Sequence, residues 1–164
     1  MNGVRVEWMI RAHMRDVLSI EREAFPSAWR EEEFLDCLRQ RNCIGIVAEC
    51  EQELVGYAVY ELGKRLIRIL NFAVRCGARR SGVGRTMFER IASKVGIGRE
   101  RQRVVLEVRE SNLSAQLFFR AMGCRYVVTK REFYEDTDED AYELEYKPDP
   151  PPAVAEAATD ECGR

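Results

Sequence analysis

Hydrophobic and polar positions along the chain repeat with two periods, and the switches between them mark out the elements. Val4, Val6 and Trp8 alternate within residues 4–10 and predict a first strand. Residues 16–25 place Val17, Leu18, Ile20, Ala24 and Phe25 on one helical stripe with charges opposite, and Pro26 stops that helix. Phe34, Leu35 and Leu38 predict a second helix over residues 31–40, with Trp29 just before it. The β-rich runs 44–49 and 54–62, separated by the polar Cys50-Glu51-Gln52-Glu53, predict an antiparallel hairpin, and residues 66–74 predict a further strand. A helix is expected from Gly82 to about Val95, with Val83, Met87, Phe88, Ile91 and Val95 inward. A strand over 103–108 follows, then a helix capped by Ser111 or Asn112 that ends at a left-handed Gly123. Strands over 124–129 and 142–146 close the pattern around an acidic loop. The order β-α-α-β-β-β-α-β-α-β-β predicts one α/β (α+β) domain over residues 1–147.

Composition changes this picture at one end. Four of the five prolines lie between Pro148 and Pro152, followed by an Ala-rich, acidic stretch. Such a segment has too little apolar surface to offset its ordering entropy, so residues 148–164 are expected to be disordered. The 164 residues otherwise have ordinary globular composition, 46% hydrophobic and 33% charged, which excludes a wholly disordered or collagen-like chain. With 26 Lys+Arg against 28 Asp+Glu, general nucleic-acid binding is disfavoured. No apolar run approaches the roughly 18 residues of a membrane span, and Met1-Asn2-Gly3-Val4-Arg5 does not open a signal peptide. A cytoplasmic protein with no membrane partner is expected. The six cysteines form no CxxC pair and are expected as thiols acting as small buried hydrophobes. The single histidine, His13, excludes a His-rich metal site; its expected role is structural, and no metal is expected.

The candidate chemistry lies in Asn71-Phe72-Ala73-Val74 followed by Arg79-Arg80-Ser81-Gly82-Val83-Gly84-Arg85. A strand ends, a basic loop follows, and two glycines open a helix. Helix N-termini present unpaired N–H groups and partial positive charge, which suits phosphate. Gly82 and Gly84 let an anion approach the backbone, and Arg79, Arg80 and Arg85 add donors. An ordinary strand–loop–helix with solvated arginines fits the same residues. The segment lacks the third glycine of a dinucleotide fingerprint and the Gly-Lys-Ser/Thr of a P-loop.

Arg79-Arg80-Ser81-Gly82-Val83-Gly84 resembles the Arg/Gln-x-x-Gly-x-Gly/Ala signature of GNAT N-acetyltransferases. More closely, the chain resembles the RimI-type ribosomal-protein-alanine N-acetyltransferases. Ala24-Phe25-Pro26 with Trp29 and Phe34 is similar to their peptide-lining loop, and Asn71-Phe72-Ala73-Val74 to their cofactor strand. Leu106-Glu107-Val108-Arg109-Glu110-Ser111-Asn112 is similar to their Leu-Glu-Val-Arg-x-Ser-Asn motif. The resemblance spans residues 4–147 and implies a mixed twisted sheet of about seven strands flanked by about four helices. It implies acetyl-coenzyme A as co-substrate. Phe72, Ala73 and Val74 would pair with its pantetheine arm, Arg79 to Arg85 would hold the pyrophosphate, and Asn112 and Phe119 would also touch it. Phe25, Pro26, Trp29 and Tyr134 would face the acceptor. The acceptor implied is a protein N-terminus, a ribosomal protein's among them, and the oligomeric state is left open.

Glu107 falls on the position of the family's general base. A carboxylate suits that task, because an α-ammonium of pKa about 7.7–8.0 must lose a proton before attacking a thioester. The family's general-acid tyrosine is replaced by Phe119, which has no proton to give. Tyr134 is the substitute by motif, while a thiol of pKa about 8.5 can also leave as its anion. The run Glu135-Asp136-Thr137-Asp138-Glu139-Asp140 reads either as a solvated turn or as a funnel for a cationic acceptor. Two other functions share these features: acetylation of a small amine or lysine side chain, and an acetyl-coenzyme A-binding module with little turnover.

Overall fold

The computed structural model describes residues 3–149. The segment expected to be disordered, 148–164, lies outside them apart from Pro148 and Asp149. The elements are β1 (Arg5–Trp8), α1 (Met14–Ala24), α2 (Glu31–Leu38), β2 (Cys43–Cys50), β3 (Glu53–Leu62) and β4 (Leu66–Val74). They continue with α3 (Val83–Ala92), β5 (Arg103–Arg109), α4 (Leu113–Ala121), β6 (Arg125–Tyr134) and β7 (Glu139–Tyr146). The seven strands form one sheet in the order β1-β2-β3-β4-β5-β7-β6. Every neighbouring pair is antiparallel except β4 and β5, which run parallel.

Local chemistry explains most boundaries. Phe25 is extended, as a residue before proline must be, so α1 ends at Ala24. At the start of α2, the Arg30 N–H donates to Glu33 at 2.7 Å, and Glu31, Glu32 and Glu33 favour the positive end of the helix. The β2–β3 turn places Glu51 and Gln52 at positive φ, as a two-residue hairpin turn requires. Gly123 is left-handed after α4.

Alternation along the strands builds two cores. One, with Val17, Ile20, Phe34, Tyr57 and Val59, lies under α1 and α2. The other, with Tyr60, Ile67, Met87, Ile91 and Leu106, lies under α3 and takes in Phe119 of α4. In β4 the alternation slips. Ile67 and Ile69 share the second core with Phe72 and Val74, which an unbroken strand would turn to the opposite face. The pairing with β3 absorbs the difference: Val59 faces Asn71 and Tyr60 faces Ile69, leaving Leu70 as a bulge.

Three sequence expectations are corrected. β6 runs on to Tyr134 rather than stopping at Thr129, and β7 begins at Glu139, so the acidic loop shrinks to residues 135–138. An edge strand is paired through one neighbour and solvated outside, so its charged residues need not alternate with apolar ones. α2 and α3 are shorter than expected, with Gly82 as the N-cap of α3. Among the described cysteines only Cys43 and Cys124 are buried; Cys37 and Cys50 are half-buried and Cys76 is exposed.

Candidate active site

The slip in β4 has a consequence on its other edge. β4 and β5 are paired from Leu66/Arg103 only as far as Ile69/Leu106; past the bulge they separate. Parallel strands that diverge at their carboxyl ends leave a crevice between them, a usual place for a ligand in α/β sheets. Here the crevice is a cleft of about 170 Å³. Leu70, Asn71 and Phe72 line one wall and Glu107, Val108 and Arg109 the other. Asn112, Ala115 and Phe119 of α4 also line it, as do Phe25, Pro26 and Ser27 from the α1–α2 loop, Tyr134 at the end of β6, and Glu21 of α1.

Glu107 is held from two sides. Its Oε1 accepts from Arg68 Nη1 and from Lys130 Nζ, the latter at 2.6 Å. Lys130 also pairs with Glu143 at 2.8 Å, and Glu143 stands directly opposite Glu107 in the β5–β7 ladder. Partial burial pushes Lys130 down, but its hydrogen bonds to Glu107 and Glu143 outweigh this, and its pKa is raised. Two like charges facing each other across a ladder repel, and Arg68 and Lys130 offset that repulsion. Oε2 of Glu107 has no hydrogen-bond partner among the described residues. Arg68 and Lys130 escaped the sequence reading. Arg68 was detectable as the polar position between Ile67 and Ile69, whereas Lys130 lay beyond the expected end of β6.

Tyr134 lies under the Arg109 guanidinium, 3.9 Å from its ring centroid. Burial pushes the Tyr134 hydroxyl up to about 12, so it keeps its proton across the neutral range. Arg109 in turn forks onto both Asp136 oxygens at 2.8 and 2.9 Å and reaches Glu139 at 3.2 Å. Ser27 donates to Asp136, tying the α1–α2 loop to the β6–β7 turn beside the cleft. The Ser27 and Arg109 hydrogen bonds hold the Asp136 carboxyl below its ordinary value. Asp140 accepts from Arg131 at 2.6 Å and from the Glu132 N–H at 2.9 Å. Asp136, Glu139 and Asp140 are therefore committed to pairs rather than exposed as a free acidic run.

The glycine loop lies beyond the Val74 end of β4. Gly82 is left-handed at φ +93°, and no side chain caps α3. The N–H groups of Val83, Gly84 and Arg85 have no hydrogen-bond partner among the described residues. That is the donor set an anion needs. A Cβ on Gly84 would meet the Phe118 ring at 3.1 Å and Val74 at 3.6 Å, so this glycine also permits α3 to pack against α4. Val83 is a core side chain, Ser81 donates to the Ala78 carbonyl, and Arg79 donates to the Val74 carbonyl. Arg80 and Arg85 are exposed, Arg80 at positive φ.

The remaining expected site residues divide. Phe72 lines the cleft, Ala73 is buried beneath α1, and Val74 joins the second core. Asn112 caps α4, its Oδ1 accepting from Ala115 N–H at 3.1 Å, so its amide NH₂ remains for the cleft. Phe119 is buried among Phe72, Phe88 and Phe118 and reaches the cleft only with an apolar ring. Trp29 does not line the cleft; its ring packs edge-on against Phe34, with 5.2 Å between centroids. Glu21, which the sequence reading missed, is 1% exposed in α1. Away from the cleft, Glu7, His13 and Glu49 have metal-ligand spacing, but Arg5 pairs with both carboxylates. His13 Nδ1 accepts the Ile10 N–H, a structural role. No helix among the described residues is long and apolar enough to cross a membrane.

The sequence model of the acetyltransferase (GNAT) family matches residues 12–124. A Bacillus subtilis (strain 168) protein, provisionally named a ribosomal protein bS18-alanine N-acetyltransferase, is 29% identical over 126 residues, covering 76% of this chain and 83% of its own. An N-alpha-acetyltransferase of Sulfurisphaera tokodaii is 30% identical over 152 residues, covering 83% and 90%. Among solved structures, the ribosomal-protein-S18-alanine N-acetyltransferase from Escherichia coli matches with a TM-score of 0.77 at 20% identity, over 93% of this chain and 98% of that one.

Proposed function

The chain belongs to the GNAT family of N-acetyltransferases, and from that premise we propose that it acetylates the α-amine of a protein N-terminus with acetyl-coenzyme A. The observation that carries this reading is the opening between β4 and β5, with Glu107 on one wall and the unpaired α3 amides beyond its far end. The acceptor class rests on three relatives: two are named for ribosomal protein S18 alanine and one for an N-terminal amine.

The residues present fit the co-substrate. The edge of β4 past the bulge has lost its β5 partner, so the Phe72 backbone and the Val74 N–H are left to pair with an extended arm, while the Val74 carbonyl accepts from Arg79. The α3 amides, Gly82, Arg80 and Arg85 would hold the pyrophosphate, and the Asn112 NH₂ would add a donor. Acetyl-coenzyme A supplies the acetyl group as a thioester.

Oε2 of Glu107 takes the proton from the acceptor ammonium, directly or through water, while Arg68 and Lys130 fix the carboxylate by its other oxygen. The freed amine attacks the carbonyl directly; among the described residues no cysteine lines the cleft to form an acyl-enzyme. Tyr134 keeps its proton at neutral pH and serves as hydrogen-bond donor at the acceptor end. Phe119 supplies no proton, so the thiolate leaves as the anion or takes one from Tyr134 or water, and the second N–H proton of the attacking amine passes to water or to that thiolate.

An acetyl-transfer assay tests the acceptor class. Free N-terminal peptides are compared with N-blocked lysine peptides and with polyamines. The free N-terminal peptides are expected to react at least tenfold faster. Faster transfer to lysine or polyamine would reassign the acceptor, and acetyl-coenzyme A binding without transfer to any of them would favour the binding module that Phe119 alone suggests.

A further inference from the structure

Glu21 is a carboxylate buried to 1% exposure on the lining of the cleft, and the acetyl-transfer steps above make no use of it. Among the described residues, no cation is a hydrogen-bond or ion-pair partner of Glu21. Oε1 accepts the Trp29 N–H at 2.7 Å, and Oε2 accepts from the Tyr57 hydroxyl and from Asn71 Nδ2, the latter at 3.2 Å. Burying a carboxyl group with only neutral partners costs stability that an apolar side chain of similar size would not. Burial and the Glu21 charge together push Tyr57 far up, so its hydroxyl stays a donor.

What these bonds join is informative. Trp29 belongs to the α1–α2 loop, whose Phe25, Pro26 and Ser27 line the cleft. The Trp29 ring is anchored on Phe34, and Phe34 on Tyr57. Asn71 lies on β4 beside the Leu70 bulge, immediately before Phe72. Glu21 therefore bonds at once to the loop that forms the acceptor wall and to the strand that forms the co-substrate wall.

We propose that Glu21 is a positioning residue that holds the acceptor loop in register with β4, so that an amine entering along the loop meets the thioester at bonding distance. This rests on the reading that the cleft acetylates an amine. Its role is geometric: it fixes the wall on which the acceptor peptide docks, so its loss weakens peptide binding and leaves co-substrate binding in place. The hydrogen-bond acceptor matters, not the charge, because all three donors to Glu21 are neutral.

The test compares Glu21→Leu with Glu21→Gln in the full chain, using a free N-terminal peptide that the wild type acetylates. Glu21→Leu removes the acceptor atoms at similar volume; Glu21→Gln keeps an oxygen for the Trp29 N–H. Glu21→Leu is expected to raise the peptide KM at least tenfold while the acetyl-coenzyme A Kd stays within twofold. Glu21→Gln is expected to bring the peptide KM back within threefold of wild type. A wild-type peptide KM in Glu21→Leu overturns the proposal, as does an equal loss of acetyl-coenzyme A affinity that Glu21→Gln does not rescue. Should Glu21→Leu fail to fold, Tyr57→Phe decides: it leaves the Trp29–Glu21 bond in place, so its peptide KM should stay within threefold, and a tenfold rise would overturn the proposal. Absence of acetyl transfer by the wild type to any amine would instead remove the functional reading on which this rests.

Discussion

Glu107 and Glu21 are carboxylates on the lining of one cleft, separated in role by their partners: two cations for Glu107, three neutral donors for Glu21. Sequence motif alone pointed to Glu107, because its place between Leu106 and Val108 on a strand is visible in one segment. The partners were not visible, because they come from β4 and β6 in one case and from β3, β4 and the α1–α2 loop in the other. Single residues also revise an expectation about the glycine loop. The bare backbone at Gly84 leaves space for a phosphate, but a Cβ there also meets Phe118 at 3.1 Å. Gly84→Glu is expected to lower acetyl-coenzyme A affinity at least tenfold and also to lower Tm, as titration calorimetry and thermal melting would show; unchanged affinity would remove the glycine loop from the site. Phe119→Tyr would place a hydroxyl among Phe72, Phe88 and Phe118, at a stability cost of about 1–3 kcal/mol if it finds no partner. Little gain in kcat is expected from it, and a clear loss from Tyr134→Phe, because holding the acceptor in line matters more than protonating a tolerable leaving group. Full activity of Tyr134→Phe across the acceptor panel would refute that ranking.

The elements were read well where apolar periodicity sets them and poorly where charge does. α1, β3 and β4 stand close to their expected bounds because their inward faces are apolar. β6 and β7 extend past their expected bounds: Lys130, Arg131, Glu139 and Asp140 look like loop residues in sequence, and pairing with Glu107, Asp140, Arg109 and Arg131 draws them into the sheet. The bulge at Leu70 was legible in principle, from Ile67 and Ile69 sharing a face with Phe72 and Val74, but only once that shared face is known. The link from the α1–α2 loop to the β6–β7 turn gives a prediction at this scale. Asp136 has its folded value depressed, so what it contributes is present above the ordinary carboxylate range and is lost as pH falls below about 4. Asp136→Asn should mimic that loss at neutral pH. Amide exchange in residues 135–138 is expected to quicken while Tm hardly changes, since exposed pairs contribute little to global stability. A large fall in Tm with unchanged exchange would contradict this.

For the whole molecule, the order of elements and the α/β class followed from periodicity, and the seven-stranded sheet from the resemblance. The cleft itself depends on where two strands stop pairing, which no single segment encodes. Stability of the assembled domain should fall on the alkaline side. Burial raises the thiols of Cys43 and Cys124 and the hydroxyls of Tyr60 and Tyr134 to about 12. Each keeps a proton in the folded state that the unfolded chain releases from about pH 9–10, so the contribution is complete below that range and is lost as pH rises toward 12. Tm is expected to drop between pH 8 and pH 10.5, less steeply in Tyr60→Phe, whose parent hydroxyl is buried with no hydrogen-bond partner among the described residues. A flat Tm over that interval would count against the buried, protonated state of these groups.

Acetyl transfer in the β4–β5 cleft, with Glu107 as the base, is the step on which the proposed function stands. The most direct measurement is the pH–rate profile of Glu107→Gln beside the wild type, on a lysine-free peptide with a free N-terminus, with acetyl-coenzyme A affinity measured in parallel. Glu107→Gln is expected to lower the rate about 10²–10⁴-fold below about pH 8, and less above it where the acceptor amine is already neutral, with an acetyl-coenzyme A Kd within twofold of wild type. A variant that keeps the wild-type rate below about pH 8 would show that another group accepts the proton and that Glu107 only ties β5 to Arg68 and Lys130.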